Sequence, residues 1–221
     1  MNIEKASVGF IVLTLSLLQG PSIPAQDQPR SNNASKAVMD RDLMEVTIPQ
    51  LENFYRTHRY TVTQVVHWYL DRIHRYNGVY GALEKIDDKG ALSTAAREDT
   101  ETKAGGSTFV RGPMWGVPIV IKENTSVEGL VTTDGWKGYT IPGHELWAPR
   151  DATIVARLRA AGVVILGKTN MPDFAASDTN RSFSYGRTGN AYDVRFSPGG
   201  SSGGTVTAVT SKHGAARQRH R

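Results

Sequence analysis

The sequence predicts an α/β fold, on three observations. Residues 116–121 form a short β-branched run of the kind found in buried strands. Residues 151–159 have helical character and lead through Ala161 and Gly162 into a second strand-like run, 163–166. That is the helix-to-strand step of an α/β chain. Further upstream, apolar residues recur at helical spacing between Leu51 and Tyr76.

The elements follow in order. Residues 26–36 are rich in Ser, Asn, Gln and Pro, lack an apolar period and read as the core of a linker over 26–41, with the folded domain beginning near Asp42. Thr47 with Pro49 in the first turn starts a helix that carries Leu51, Phe54 and Tyr55 on its apolar stripe. A second helix, capped by Thr61 or Thr63, carries Val65, Val66, Trp68, Tyr69, Ile73 and Tyr76 and ends at Asn77-Gly78. The two are expected to form an N-terminal helical hairpin. Residues 82–86 predict a short strand, and residues 92–103 a polar-faced helix ending at Gly105-Gly106. The run 116–121 predicts a strand that ends at Lys122. Asp151 is placed to cap the helix that reaches Arg159, and the strand 163–166 ends at Gly167. Residues 186–204 are turn-rich and predict a loop, after which residues 205–210 open a helix.

Composition narrows the function. With 39% hydrophobic and 21% charged residues, most of the 221-residue chain is expected to fold. The net charge of +5 suggests a polyanion partner at first sight, but Lys212, Arg217, Arg219 and Arg221 supply +4 of it within the last residues. The body is nearly neutral, so a nucleic-acid partner is not expected. Cysteine is absent, which excludes disulfides, thiolate metal sites and a cysteine nucleophile within this sequence. His67, His74 and His144 lack ligand-like spacing and are read as surface or packing residues, and Trp115, Trp136 and Trp147 are read as packing. At the start, Lys5 precedes an apolar run over residues 8–18, followed by Pro21, Pro24 and Ala25. This pattern predicts a secretory signal over residues 1–25, and hence export, although Glu4 weakens the positive flank. An uncleaved anchor is the alternative; the run is short of the ~20 apolar residues of a stable membrane span.

Two features carry chemistry. Lys122 closes an apolar strand, where lost hydration lowers the pKa of an amine toward the range of a general base. Taken alone, it reads more readily as a strand-end lysine reaching to solvent. The segment Pro198-Gly199-Gly200-Ser201-Ser202-Gly203-Gly204 sets two hydroxyls between paired glycines, which permit unusual backbone and close approach. Such a loop can hold a serine in place or bind an anion at the start of a following helix. It also reads as a flexible linker, although the apolar continuation over 206–209 argues against that. It lacks the lysine of a nucleotide-binding P-loop.

These features, with the segments around them, resemble the amidase signature family. The resemblance rests on Gly116-Val-Pro-Ile-Val-Ile-Lys-Glu-Asn124, Asp151-Ala-Thr-Ile-Val-Ala-Arg-Leu158, Ala161-Gly-Val-Val-Ile-Leu-Gly-Lys-Thr-Asn-Met-Pro172, Gly186-Arg-Thr-Gly-Asn190 and Ser197-Pro-Gly-Gly-Ser-Ser-Gly-Gly204, in that order. It runs from about Asp42 to Ser211.

The resemblance implies a mixed β-sheet flanked by helices and a Ser–cis-Ser–Lys amidase that hydrolyses carbon–nitrogen bonds of a small-molecule amide without a metal or organic cofactor. Lys122 is then the catalytic lysine and Ser201 the serine after the cis peptide bond. Gly199, Gly200, Ser202, Gly203 and Gly204 form the supporting loop, and Ser201 relays protons between Lys122 and a second, attacking serine. Asn124 and residues 171–177 border the substrate site in this picture. The family's attacking serine lies about two dozen residues further on, in a second Gly-Gly-Ser element that also builds the oxyanion hole. Only 20 residues follow Ser201, and none offers that element. Residues 212–221 are instead a basic stretch with the look of out-of-frame sequence. The resemblance therefore implies a fragment, truncated before its nucleophile and inactive as written, with unpaired strands and uncovered apolar faces. The runner-up enzyme resembles the glutamine-hydrolysing component of an amidotransferase, which releases ammonia from glutamine for tRNA-dependent amidation. A non-catalytic binding fragment is the third reading, and its affinity would fall steeply with salt.

Overall fold

The structure, a computed structural model, describes residues 28–211. The predicted signal over residues 1–25 and the basic stretch 212–221 lie outside the described residues. The chain divides into two compact units, Met1–Ala37 and Val38–Arg221. The described part of the first is the opening of helix α1 (Gln28–Leu43). The second holds everything else.

From residue 28 onward, the predicted linker is helical instead. In the second unit, Leu43 at the end of α1 is fully buried and Met39 packs against the same core. Asp40 accepts a hydrogen bond from Trp68 Nε1 at 2.7 Å, and Asp42 pairs with Arg59 and Tyr60. Tertiary contact thus overrides a composition that has no apolar period of its own.

Helix α2 (Ile48–Arg56) starts at Thr47, whose side chain accepts from Gln50 N–H while Gln50 caps Thr47 in return. Helix α3 (Val62–Tyr80) begins with the same reciprocal cap at Thr61 and Gln64, and Asp99 accepts from the N–H groups of Val62 and Thr63. It ends three residues beyond the expected Gly78, at Gly81, which takes the left-handed conformation. Asn77 explains the extension: its carbonyl accepts from Gly81 N–H, and its amide side chain is bonded to both backbone groups of Leu83. Strand β1 (Leu83–Ile86) follows, then α4 (Asp88–Gly105), which starts a turn earlier than predicted because Asp87 accepts from Gly90 N–H. Helices α2 and α3 share one apolar cluster, and α3 packs most extensively on α4.

Strand β2 (Val117–Lys122) lies parallel to β3 (Val163–Thr169), and β1 pairs antiparallel with the other side of β3. The three-stranded mixed sheet has the order β1-β3-β2. Between β2 and β3 runs α5 (Thr153–Ala160), whose start lacks a side-chain cap. The expected cap, Asp151, accepts from Glu128 N–H and pairs with Arg159 instead, tying the preceding loop to the end of the helix. Helix α6 (Gly203–Ser211) follows the glycine-rich loop.

The sheet has helices on both faces. Val164 and Leu166 of β3 enter the cluster of α2, α3 and α4, while Val163 and Ile165 enter a second cluster with Val127 and Val155 of α5. Strict alternation would send Thr169 to the α5 side with Val163 and Ile165. It does not go there. The register with β2 slips between Ile119 and Ile121, so β3 carries an extra residue at Leu166–Gly167. Gly167 suits this bulge, since a Cβ there would stand 2.2 Å from Lys85 O. Past the bulge, Lys168 turns toward the loop after β2, and Thr169 toward α6, where its Oγ1 lies 2.7 Å from Thr205 Oγ1.

Candidate active site

The bulge aligns the site. Lys122, the last residue of β2, stands in register with Thr169, and Thr169 is hydrogen bonded to Thr205 in the first turn of α6. The loop entering that turn is thereby brought over the end of β2. Lys122 Nζ lies 2.7 Å from Ser201 Oγ and 3.0 Å from Ser202 Oγ, across 79 and 80 residues of sequence. The solvent-directed reading of Lys122 is excluded, and so is the flexible linker. The Gly200–Ser201 peptide bond is cis.

Each part of the glycine loop has a partner. Gly199 N–H donates to Ser197 Oγ at 3.1 Å, and Gly203 N–H donates to Asn180 Oδ1 at 3.1 Å. Gly204 is buried so tightly that a Cβ would meet Asn170 O at 2.2 Å. Asn180 and Asn170 belong to a buried polar knot. Asn180 Nδ2 donates to Asn170 O, Asn170 Nδ2 donates to Thr188 Oγ1 and Gly186 O, and Ser182 Oγ donates to Asn170 Oδ1. With its donors and acceptors matched, the knot fixes residues 180–188 beneath the loop.

A second knot lies behind Lys122. Lys168, fully buried, donates to Glu123 O at 3.0 Å, Val131 O at 3.2 Å and Thr132 Oγ1 at 3.0 Å, and its Nζ is 3.2 Å from Glu123 Oε1. Glu123 in turn accepts from Thr133 N–H at 2.8 Å. Burial lowers the Lys168 pKa and raises that of Glu123, and each partner's charge opposes the other's shift. The knot holds residues 131–134 close to the end of β2. Asp134, in left-handed backbone, sits within electrostatic reach of Lys122. Desolvation lowers the Lys122 pKa, and Asp134 acts weakly in the opposite sense.

Chemically, the arrangement is an amine with a depressed pKa against two hydroxyls, a base and its proton donors. No group of three His, Asp or Glu side chains that would hold a metal ion occurs among the described residues. His74 pairs with Asp88 at 2.7 Å, away from the site, and His67 is exposed. Trp115 packs edge-on against Phe109, but Trp136 and Trp147 are 42% and 58% exposed rather than packed away. Asn124 is exposed, one residue past the second knot, and Phe174 of the 171–177 segment stacks obliquely near Trp136. The sequence reading missed Asn170, Asn180, Glu123 and Lys168. Lys168 alone left a signal, as a lysine that continues the apolar run 163–166.

The Amidase family model matches residues 64–216. The chain belongs to the amidase family. Among curated amidase-family relatives, it is 35% identical to the A subunit of the Glutamyl-tRNA(Gln) amidotransferase from Azoarcus sp., over 77% of this chain and 33% of that protein. It is 37% identical to the protein of the same name from Streptomyces coelicolor, over 76% of this chain and 32% of the other. Among solved structures, the 6-aminohexanoate cyclic dimer hydrolase complexed with substrate matches with a TM-score of 0.67 and 28% identity, covering 78% of this chain and 33% of that one. The native peptide amidase from Stenotrophomonas maltophilia matches with a TM-score of 0.65 and 31% identity, covering 75% and 34%. The chain thus spans about a third of the length of these amidase-family proteins.

Proposed function

We propose that the chain is the Lys–cis-Ser part of an amidase that hydrolyses carbon–nitrogen bonds of small-molecule amides. The observation that carries this reading is the 2.7 Å approach of Lys122 Nζ to Ser201 Oγ in a member of the amidase family. Lys122 is the base, its neutral form favoured by desolvation. Ser201 passes the proton between Lys122 and an attacking serine, and the acyl-enzyme that results is released by water. In this reading the attacking serine and the oxyanion donors belong to the two thirds of the relatives' length that this chain does not cover. The 221 residues then bind and position, but do not turn over amides.

A second reading, glutamine hydrolysis within an amidotransferase, is favoured by the names of the two curated relatives. One experiment tests both. The chain is extended through a second Gly-Gly-Ser element and assayed on simple amides and on glutamine. Lys122→Ala and Ser201→Ala should each reduce turnover of the preferred amide by ~1,000-fold or more while the circular dichroism spectrum is retained. Near-normal rates in either variant would remove that residue from the mechanism, and a preference for glutamine over simple amides would decide for the second reading.

A further inference from the structure

The amidase reading gives Ser202 no chemical step, yet its surroundings suit one. Ser202 is exposed where Ser201 is half-buried, and its Oγ lies 3.0 Å from Lys122 Nζ. It immediately precedes α6, and its carbonyl accepts from Val206 N–H at 3.1 Å. Its side chain therefore stands at the positive end of a nine-residue helix, which favours negative charge developing on its oxygen. Ser201 lies 2.7 Å from the same amine, so Lys122 Nζ is held within hydrogen-bond reach of both hydroxyls.

We propose that Ser202 and Lys122 form by themselves a nucleophile–base dyad that accepts the acyl group of activated esters. The reaction does not require the attacking serine of the amidase reading. The neutral Lys122 amine takes the proton of Ser202 Oγ as that oxygen bonds to the ester carbonyl carbon. The tetrahedral adduct then collapses, the carbonyl re-forms and an aryloxide departs with its electron pair, leaving an ester on Ser202. The Lys122 ammonium returns its proton to solvent, and water hydrolyses the acyl group slowly. An aryloxide needs no proton to leave, whereas an amide nitrogen does. The Lys122 ammonium formed in the attack is the acid of the dyad, and because an aryloxide departs without waiting for its proton, activated esters are the substrates the dyad favours over amides.

The test uses the 221-residue chain with p-nitrophenyl acetate, following p-nitrophenolate release and locating the acetyl group by tandem mass spectrometry. The expected result is a hydroxylamine-labile acetyl on Ser202. Ser202→Ala and Lys122→Arg should lower both its formation and the phenolate burst about 100-fold, since a guanidinium cannot act as a base. An acetyl on Ser201, a hydroxylamine-stable acetyl on lysines alone, or undiminished labelling of Lys122→Arg would overturn the proposal. If Lys122→Arg does not fold, as judged by circular dichroism, the position of the acetyl on the unaltered chain decides by itself. Failure here leaves the amidase reading untouched, because that reading is measured on amides with the extended protein.

Discussion

Glu98 of α4 is fully buried, and neither carboxylate oxygen has a hydrogen-bond partner among the described residues, while Arg97 Nη2 stands 3.9 Å from one of them. Burial pushes its pKa up from an ordinary 4.5 to about 7. A carboxylate with a raised folded-state pKa binds its proton more tightly in the folded protein. Its contribution is complete below about 4.5 and is lost as pH rises toward 7 and beyond. The loss is on the order of a few kcal/mol. Glu98→Gln should therefore stabilise the chain at about pH 8 and leave it unchanged near pH 4, measured by urea denaturation. A parallel pH dependence in the variant would show that Glu98 is ionised in the folded state. At this scale the sequence was informative where a residue is unusual for its neighbours. Lys122 after an apolar strand and two serines between paired glycines stand out, and Lys168 does so faintly. Asn170, Asn180 and Glu98 do not, because their burial is a property of the packed chain.

At the scale of elements, periodicity located β1, β2, α2, α3 and α6 well, since each is bounded by turn or capping chemistry that is local in sequence. Boundaries set by tertiary partners were missed. Helix α1 is anchored through Asp40 and Asp42, and Asp151 serves Glu128 and Arg159 rather than the start of α5, while the run of α3 on to Gly81 rests on local bonds of Asn77 that periodicity does not reveal. The bulge at Gly167 is the costliest omission, because it alone turns Thr169 toward α6. A glycine inside a strand-like run was its one trace. The docking of α6 makes a test. In Gly204→Ala the new methyl would press on Asn170 O, found at 2.2 Å from an ideal Cβ. The start of α6 should shift away from β3, at a cost of about 2 kcal/mol. A lowered melting temperature should be accompanied by weaker Ser202 acetylation. An unchanged melting temperature would mean that the loop yields without strain.

The molecule as a whole carries apolar surface in need of cover. Strands β1 and β2 are both edges of the three-stranded sheet among the described residues, and Val206 and Val209 of α6 are 53% and 50% exposed. Helices α3 and α6 and strand β2 line a cavity of about 310 Å³ that includes Tyr69, Arg72, Tyr76, Ile119, Val120 and Val209. Neither Lys122 nor Ser201 lines it. Exposed edges and apolar patches favour self-association. The 221-residue chain should sediment heavier than its 24.2 kDa mass at micromolar concentration, and Val206→Glu with Val209→Glu should shift it toward the monomer. A monomer before substitution would count against this view of the surface. The mixed sheet with flanking helices was readable from sequence as a class, but its extent was not, since edges and cavities depend on which strands are neighbours.

The separation of Lys122 and Ser201 by 79 positions of sequence bears on how the protein is made. A ribosome building the chain finishes β2 long before the serines exist, and must then complete β3 and most of α6 before a hydroxyl can reach the amine. During that interval the amine has neither of its hydroxyl partners. The pairing of amine and hydroxyl is thus among the later contacts the growing chain can make, since it waits on the docking of the glycine loop over the end of β2.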